Sequence, residues 1–225
     1  MSHYHLLRVF CGAGGSGGNP LAVFLEGTQV PRGARQGVAA QLGLSETVFV
    51  NDAERGEIQI FTPAVELPFA GHPTVGTAWL LAEQGAPVEL LRPPAGDVAV
   101  RHENGMSFVA GRPEWPPRYE WEQLGSPAEV EALESPPEGR DMFGAWAWID
   151  ESAGVLRSRV FPLRLGIAED EATGAAALQL GGLLGRAIDN RQGRGSRILA
   201  RPAENGYVEI GGRSMLDVVR KLSTS

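Results

Sequence analysis

The feature that most constrains this chain is a match with itself at an offset of about a hundred residues, close to half its length. Ile60-Phe61-Thr62-Pro63 has a counterpart in Val160-Phe161-Pro162. Acidic or small residues follow each, and then a threonine and a glycine open an apolar helix. The first opening reads Gly71-His72-Pro73-Thr74-Val75-Gly76 and the second Asp170-Glu171-Ala172-Thr173-Gly174-Ala175. Two similar α+β halves are expected, each a curved sheet around one helix. Coincidence in a chain rich in alanine and glycine is the competing reading. If the halves are real, a site belongs in the cleft between them, facing both helix N-termini.

Hydrophobic patterning fills in the elements. Strands are expected at 5–11, 21–25, 47–50 and 57–62. A helix is expected over 31–42, where Pro31 suits the first turn and Val38 and Leu42 share a face. A second helix is expected over 73–84, with Val75, Ala78, Trp79 and Ala82 at i, i+3, i+4, i+7 and Gly85 as a left-handed cap. Six prolines and a surplus of acids between Arg112 and Gly139 read as a crossing between halves plus surface loops. Strands are expected to resume at 143–149 and 155–162. A buried helix over 172–184 carries glycines that cost propensity, so close packing on a sheet is their expected reason. Short β segments at 196–200, 207–210 and 215–222 complete the chain. The halves divide into 1–112, with Glu46 and His72, and 113–225, with Asp170.

Composition excludes several classes. With 43% hydrophobic and 21% charged residues the chain is not disordered. A single cysteine, Cys11, excludes a disulfide scaffold and thiolate zinc clusters within one chain. No apolar run approaches a membrane span, and residues 1–10 lack the apolar stretch of a signal peptide, so a cytoplasmic location is expected and no membrane partner. Net charge is −7, against the basic stripe of nucleic-acid binders. The one arginine-rich patch, 186–197, is broken by Asp189 and reads as a solvated loop. A small anionic partner stays open, because backbone amides bind anions on acidic proteins too.

Gly12-Ala13-Gly14-Gly15-Ser16-Gly17 fits G-x-G-x-x-G after a strand, but Asn19-Pro20 and another strand follow where a dinucleotide site needs a helix. A flexible loop without a ligand is the better reading. His3 and His5 share a strand face but lack a third metal ligand. Cys11 reads as a small buried hydrophobe. His72, at a helix start between Gly71 and Pro73, faces free backbone N–H groups, and the dipole there disfavours an imidazolium. It can meet a substrate or cap its own helix. Glu46 stands at the end of an apolar strand, where desolvation raises a carboxyl pKa and suits proton transfer; an exposed strand-end acid is the alternative. Asp170 is either a helix-cap acid or a third member of the cleft.

Together these segments resemble a known family. Leu44-Ser45-Glu46-Thr47-Val48-Phe49-Val50, Ile60-Phe61-Thr62-Pro63 and Glu66-Leu67-Pro68-Phe69-Ala70-Gly71-His72-Pro73-Thr74 are similar to the PhzF-like phenazine-biosynthesis family. Gly18-Asn19-Pro20-Leu21-Ala22-Val23 resembles its N-terminal motif. Glu169-Asp170-Glu171-Ala172-Thr173-Gly174-Ala175-Ala176 resembles its second-half motif, and Gly211-Gly212 a late turn. The resemblance implies the diaminopimelate-epimerase-like fold, with two pseudo-symmetric α+β domains of mostly antiparallel sheet, and a homodimer. It also implies an isomerase without a cofactor or metal. Glu46 would carry a proton between carbons of a small carboxylate-bearing metabolite, with His72 and Asp170 as partners. Asn19, Gly71, Thr173, Gly174 and Ala175 would contact substrate. The two-cysteine mechanism of related epimerases is excluded by the lone Cys11.

Two departures bear on the substrate. Ala175 stands where the family usually has serine, removing one hydroxyl, and Glu171 replaces a usual proline, adding a charge expected beside the cleft. A non-catalytic homologue that keeps the cleft for binding is the rival class.

Overall fold

The computed structural model describes residues 2–222. Its first half contains β1 (His3–Cys11), β2 (Asn19–Phe24), α1 (Arg32–Leu42), β3 (Glu46–Asp52), β4 (Glu57–Phe61), β5 (Glu66–Leu67), α2 (Gly71–Glu83), β6 (Leu90–Leu91), β7 (Val98–Glu103) and β8 (Met106–Gly111). The second half contains β9 (Glu120–Gln123), α3 (Pro127–Glu131), β10 (Phe143–Asp150), β11 (Val155–Phe161), α4 (Gly174–Leu184), β12 (Ile188–Gln192), β13 (Ser196–Pro202) and β14 (Val208–Lys221). The strands form one continuous path, β5-β4-β3-β2-β1-β14-β13-β12-β11-β10-β9, with β8 and β7 branching from β14. Pairing is antiparallel except at β2–β3, β9–β10 and β11–β12.

The two long apolar helices sit inside this curved sheet. Ten of the thirteen residues of α2 are buried, which follows from a sequence apolar on every side. The hydroxyls of Thr74 and Thr77, forced inside, bond back to the carbonyls of Ala70 and Pro73 at 2.7 and 2.8 Å. Glycine permits the close approach of helix to sheet. A Cβ on Gly76 would lie 2.6 Å from Leu21 and Val9, and one on Gly181 3.1 Å from Ala200. For Gly181 of α4 that is the packing expected of the glycines in 172–184.

Strand β14 joins the halves. Residues 208–212 pair with β8 and 208–211 with β13, whereas 213–221 pair with β1. The expected late turn at Gly211-Gly212 is therefore absent; both glycines lie within this strand. A Cβ on Gly211 would meet Phe108 at 2.3 Å, and one on Gly212 would meet the carbonyl oxygen of Arg197 at 2.9 Å. The glycines serve close approach to flanking strands instead of chain reversal.

Three other expectations are corrected. The arginine-rich patch is β12, a tight turn and the start of β13. Asp189 holds Arg191 at 2.9 Å and Arg197 at 2.8 Å. Ile188, Asn190 and Gln192 alternate inward, a strand pattern hidden because two of the three buried side chains are amides. The glycine-rich turn is clasped instead of loose. Arg8 donates to the carbonyls of Gly15 and Gly17 at 2.6 and 2.9 Å, and the Gly18 amide donates to Ser196 at 2.8 Å. The Pro-rich crossing contains β9 and the short α3, whose Ser126 caps the helix by accepting from the Glu129 amide at 3.3 Å. No helix among the described residues is long and apolar enough to cross a membrane.

Candidate active site

The N-terminus of α2 meets the N-terminus of α4 at the middle of the molecule. A Cβ on Gly71 would lie 2.7 Å from the carbonyl carbon of Gly174 and 2.9 Å from the amide nitrogen of Ala175. One on Gly174 would lie 2.9 Å from the His72 nitrogen. Only glycine fits this crossing. No side chain caps either helix, so the first-turn amides have no intrahelical or side-chain acceptor. Neither His72 nor Asp170 is the cap that sequence alone left open for it. Two positive helix ends thus converge on one cleft.

Three titratable side chains gather there. Glu46 opens β3, whose parallel pairing with β2 sets it across from Leu21. Its Oε2 lies 3.5 Å from Nδ1 of His72, and its side chain is 15% exposed. Asp170 is held by four groups. Its Oδ1 accepts from Asn19 Nδ2 at 2.8 Å, its Oδ2 accepts from Thr173 Oγ1 at 2.7 Å, its amide donates to Val160 at 3.0 Å, and its carbonyl accepts from Gln192 at 2.9 Å. Asn19 also donates to the Ala172 carbonyl at 2.9 Å and accepts from Ser45 at 3.3 Å. The first-half and second-half motifs are thereby tied to each other directly. Glu46 Oε2 and His72 Nε2 are buried and make no hydrogen bond.

Burial sets the electrostatics. It pushes the Glu46 carboxyl up to about 7, against a weaker opposing hydrogen bond from Ser45. It lowers His72 to about 4, although Asp170 and the Pro20 carbonyl favour the charged ring. Asp170 is raised by burial and by the Glu46 charge, and held down by His72, Thr173 and Asn19. At neutral pH the site therefore holds a neutral imidazole and a carboxyl poised between its two protonation states. Such a carboxyl can both accept and return a proton.

All but Asn19 of the residues singled out from sequence line this cleft; Asn19 stands behind it as the support of Asp170. Leu67, Phe69, Pro116, Pro117, Pro162, Leu165 and Ile167 make its apolar walls. It encloses about 40 Å³, room for a few waters. Larger grooves lie elsewhere, including one of about 590 Å³ beside the glycine-rich turn, but they gather no comparable set of buried, shifted acids and bases. The charge of Glu171 is not in the cleft: its Oε1 accepts from the Arg194 amide at 2.7 Å and from Ser196 at 2.8 Å, fastening the motif loop to the β12–β13 turn. Sequence reading missed Gln192, which braces Asp170 and Thr173, and Tyr119, which lines the cleft from the Pro-rich crossing. Cys11 is buried, with its thiol pushed up by burial, and no group of three metal-ligating side chains exists among the described residues.

Fold and site together define a mixed α+β protein with a carboxylate-bearing cleft at two abutting helix N-termini. The phenazine biosynthesis-like (PhzC-PhzF) family model matches residues 9–114. The chain is 31% identical over 203 residues to the trans-2,3-dihydro-3-hydroxyanthranilate isomerase of Pseudomonas fluorescens, covering 71% of this chain and 72% of that protein. It is 45% identical over 106 residues to an uncharacterized isomerase of Pasteurella multocida, covering 44% of this chain but little more than a third, 36%, of that relative's length. A phenazine biosynthesis PhzC/PhzF protein of Clostridium difficile superposes with a TM-score of 0.82 at 19% identity, covering 100% of both chains. The chain belongs to the PhzF-like family.

Proposed function

We propose that the protein is a cofactor-independent isomerase that moves a proton between carbons of a small carboxylate-bearing metabolite. Glu46 is the proton carrier in this reading. The observation that carries it is a buried carboxyl, poised near neutrality, that lines a cleft of apolar walls with one oxygen unhydrogen-bonded and only the neutral His72 ring, at 3.5 Å, beside it. A carbon acid needs a desolvated base that is neither locked in an ion pair nor permanently charged. Neutral His72 and the braced Asp170 position the substrate's polar groups, and the uncapped amides of Gly71, Gly174 and Ala175 hold its carboxylate. Residues 1–112 and 113–225 each supply one wall, and a ring-sized substrate enters only when those walls part.

The names of the relatives point to trans-2,3-dihydro-3-hydroxyanthranilate as the first compound to try. Incubation with it in D₂O should place deuterium on carbon and yield the isomer. Binding without exchange would instead favour the non-catalytic homologue. We also propose a homodimer, supported by exposed Met215, Leu216, Val218 and Val219 along β14. Sedimentation at micromolar concentration should show twice the 24.0 kDa chain mass; a monomer alone would remove it.

A further inference from the structure

Tyr119 comes from the segment that sequence patterning treats as surface loop, yet it is 5% exposed and lines the cleft. The site holds it rigidly. Its amide donates to Gln179 Oε1 at 3.1 Å, and Gln179 Nε2 donates to the Pro117 carbonyl at 2.8 Å, so a side chain of α4 clamps the irregular segment of prolines and tyrosine before β9. The ring packs with Met142, Val160 and Ala176, and its centroid lies 6.1 Å from that of Trp121. This anchoring leaves the phenol without a protein partner. Glu46 and Asp170 are near enough for their charges, with burial, to hold the hydroxyl protonated well above its ordinary range, but it donates to neither. The ring is buried, but the hydroxyl is not one of the fully enclosed unpaired polar atoms; it keeps some accessible surface on the cleft, where its donor is left to solvent or to a ligand.

We propose that Tyr119 is a specificity-determining residue, whose phenol donates a hydrogen bond to an oxygen of the bound substrate beside Glu46 and Asp170. Unlike a carboxyl group, which donates only while protonated, it is a donor throughout the neutral range and adds no charge to a crowded acidic site. The substrate class is thereby narrowed to molecules with an oxygen acceptor at that position, in addition to any amino group that Asp170 accepts from. This rests on the proposed isomerase reading.

The test is Tyr119→Phe, which keeps the ring. The probe is 3-hydroxyanthranilate, the stable aromatic counterpart of the compound for which the relatives are named. Calorimetric titration should show affinity falling about three- to tenfold, the worth of one neutral hydrogen bond. The melting temperature of the free protein should be unchanged, because the lost hydroxyl bonds nothing in it. Affinity equal to wild type would overturn the role of Tyr119 while leaving the isomerase reading standing. A fall in affinity together with a lower melting temperature would make the phenol structural and also overturn it. If the wild type neither binds the probe nor turns over the dihydro compound, the isomerase reading fails and takes this inference with it.

Discussion

Replacing Glu46 by glutamine should stabilise the protein above pH 7 and leave it unchanged near pH 4. Burial raises this carboxyl from 4.5 to about 7, a displacement equivalent to about 3 kcal/mol at ~1.4 kcal/mol per pH unit. The sign follows from linkage. Below pH 4.5 the group is neutral in both states and costs nothing. Between 4.5 and about 7 the unfolded chain gives up its proton first, so the folded state loses ground with every step. Above 7 the full cost of a buried carboxylate, offset only in part by Ser45, stands. Glutamine is neutral throughout and escapes it. At pH 8 the variant should therefore melt about 6–12 °C higher, taking ~2–4 °C per kcal/mol for a chain of this size. Asp170 adds to the gain, because the Glu46 charge is one cause of its own raised pKa. Thermal unfolding of both proteins at intervals from pH 4.5 to 8.5 measures the effect. A difference that does not vary with pH, or a variant less stable than wild type at pH 8, would refute the reasoning: Glu46 would then be solvated or usefully paired.

Two further outcomes follow from the same geometry. Gly71→Ala drives a methyl group into the backbone of Gly174 and Ala175; overpacking there should cost about 1–3 kcal/mol and cut turnover as the helix ends separate, whereas unaltered melting and rate would show that the crossing can yield. The rate constant kcat/KM should rise with pH through about 7 as Glu46 ionises and then level off, without an inflection from His72 between pH 5 and 9, since burial keeps that ring neutral down to about 4. A profile that falls across pH 6–8 would assign the base elsewhere.

Much of the site was legible in the sequence because its parts sit where chain geometry changes. Gly71-His72-Pro73 and Thr173-Gly174 mark helix starts, and Glu46 marks the end of an apolar strand; these boundaries show in spacing, whereas their grouping as one site with Asn19 and Ala175 was only what the family resemblance implied. The self-match implied that the two helix starts face each other, and the Gly71–Gly174 contact is that meeting point. What escaped was polar and buried. The inward face of β12 carries Asn190 and Gln192, so hydrophobic alternation could not reveal the strand that braces Asp170. Tyr119 was hidden for a related reason: it lies among prolines and acids that look like surface, and is drawn inside by Gln179 on a helix sixty residues away. Gly211 and Gly212 resembled a turn because glycine serves tight reversals and close strand packing alike. Glu171, read as a charge beside the cleft, is spent instead on the backbone of the neighbouring turn.

In the proposed reaction Glu46 moves the proton, and the turnover of Glu46→Gln beside its affinity for 3-hydroxyanthranilate tests this step. Glutamine keeps the shape and hydrogen-bonding reach of the side chain but removes the basic oxygen. Turnover should fall by about 10²–10⁴ with binding retained, because His72, Asp170 and the helix ends remain in place. Full turnover by this variant would contradict it.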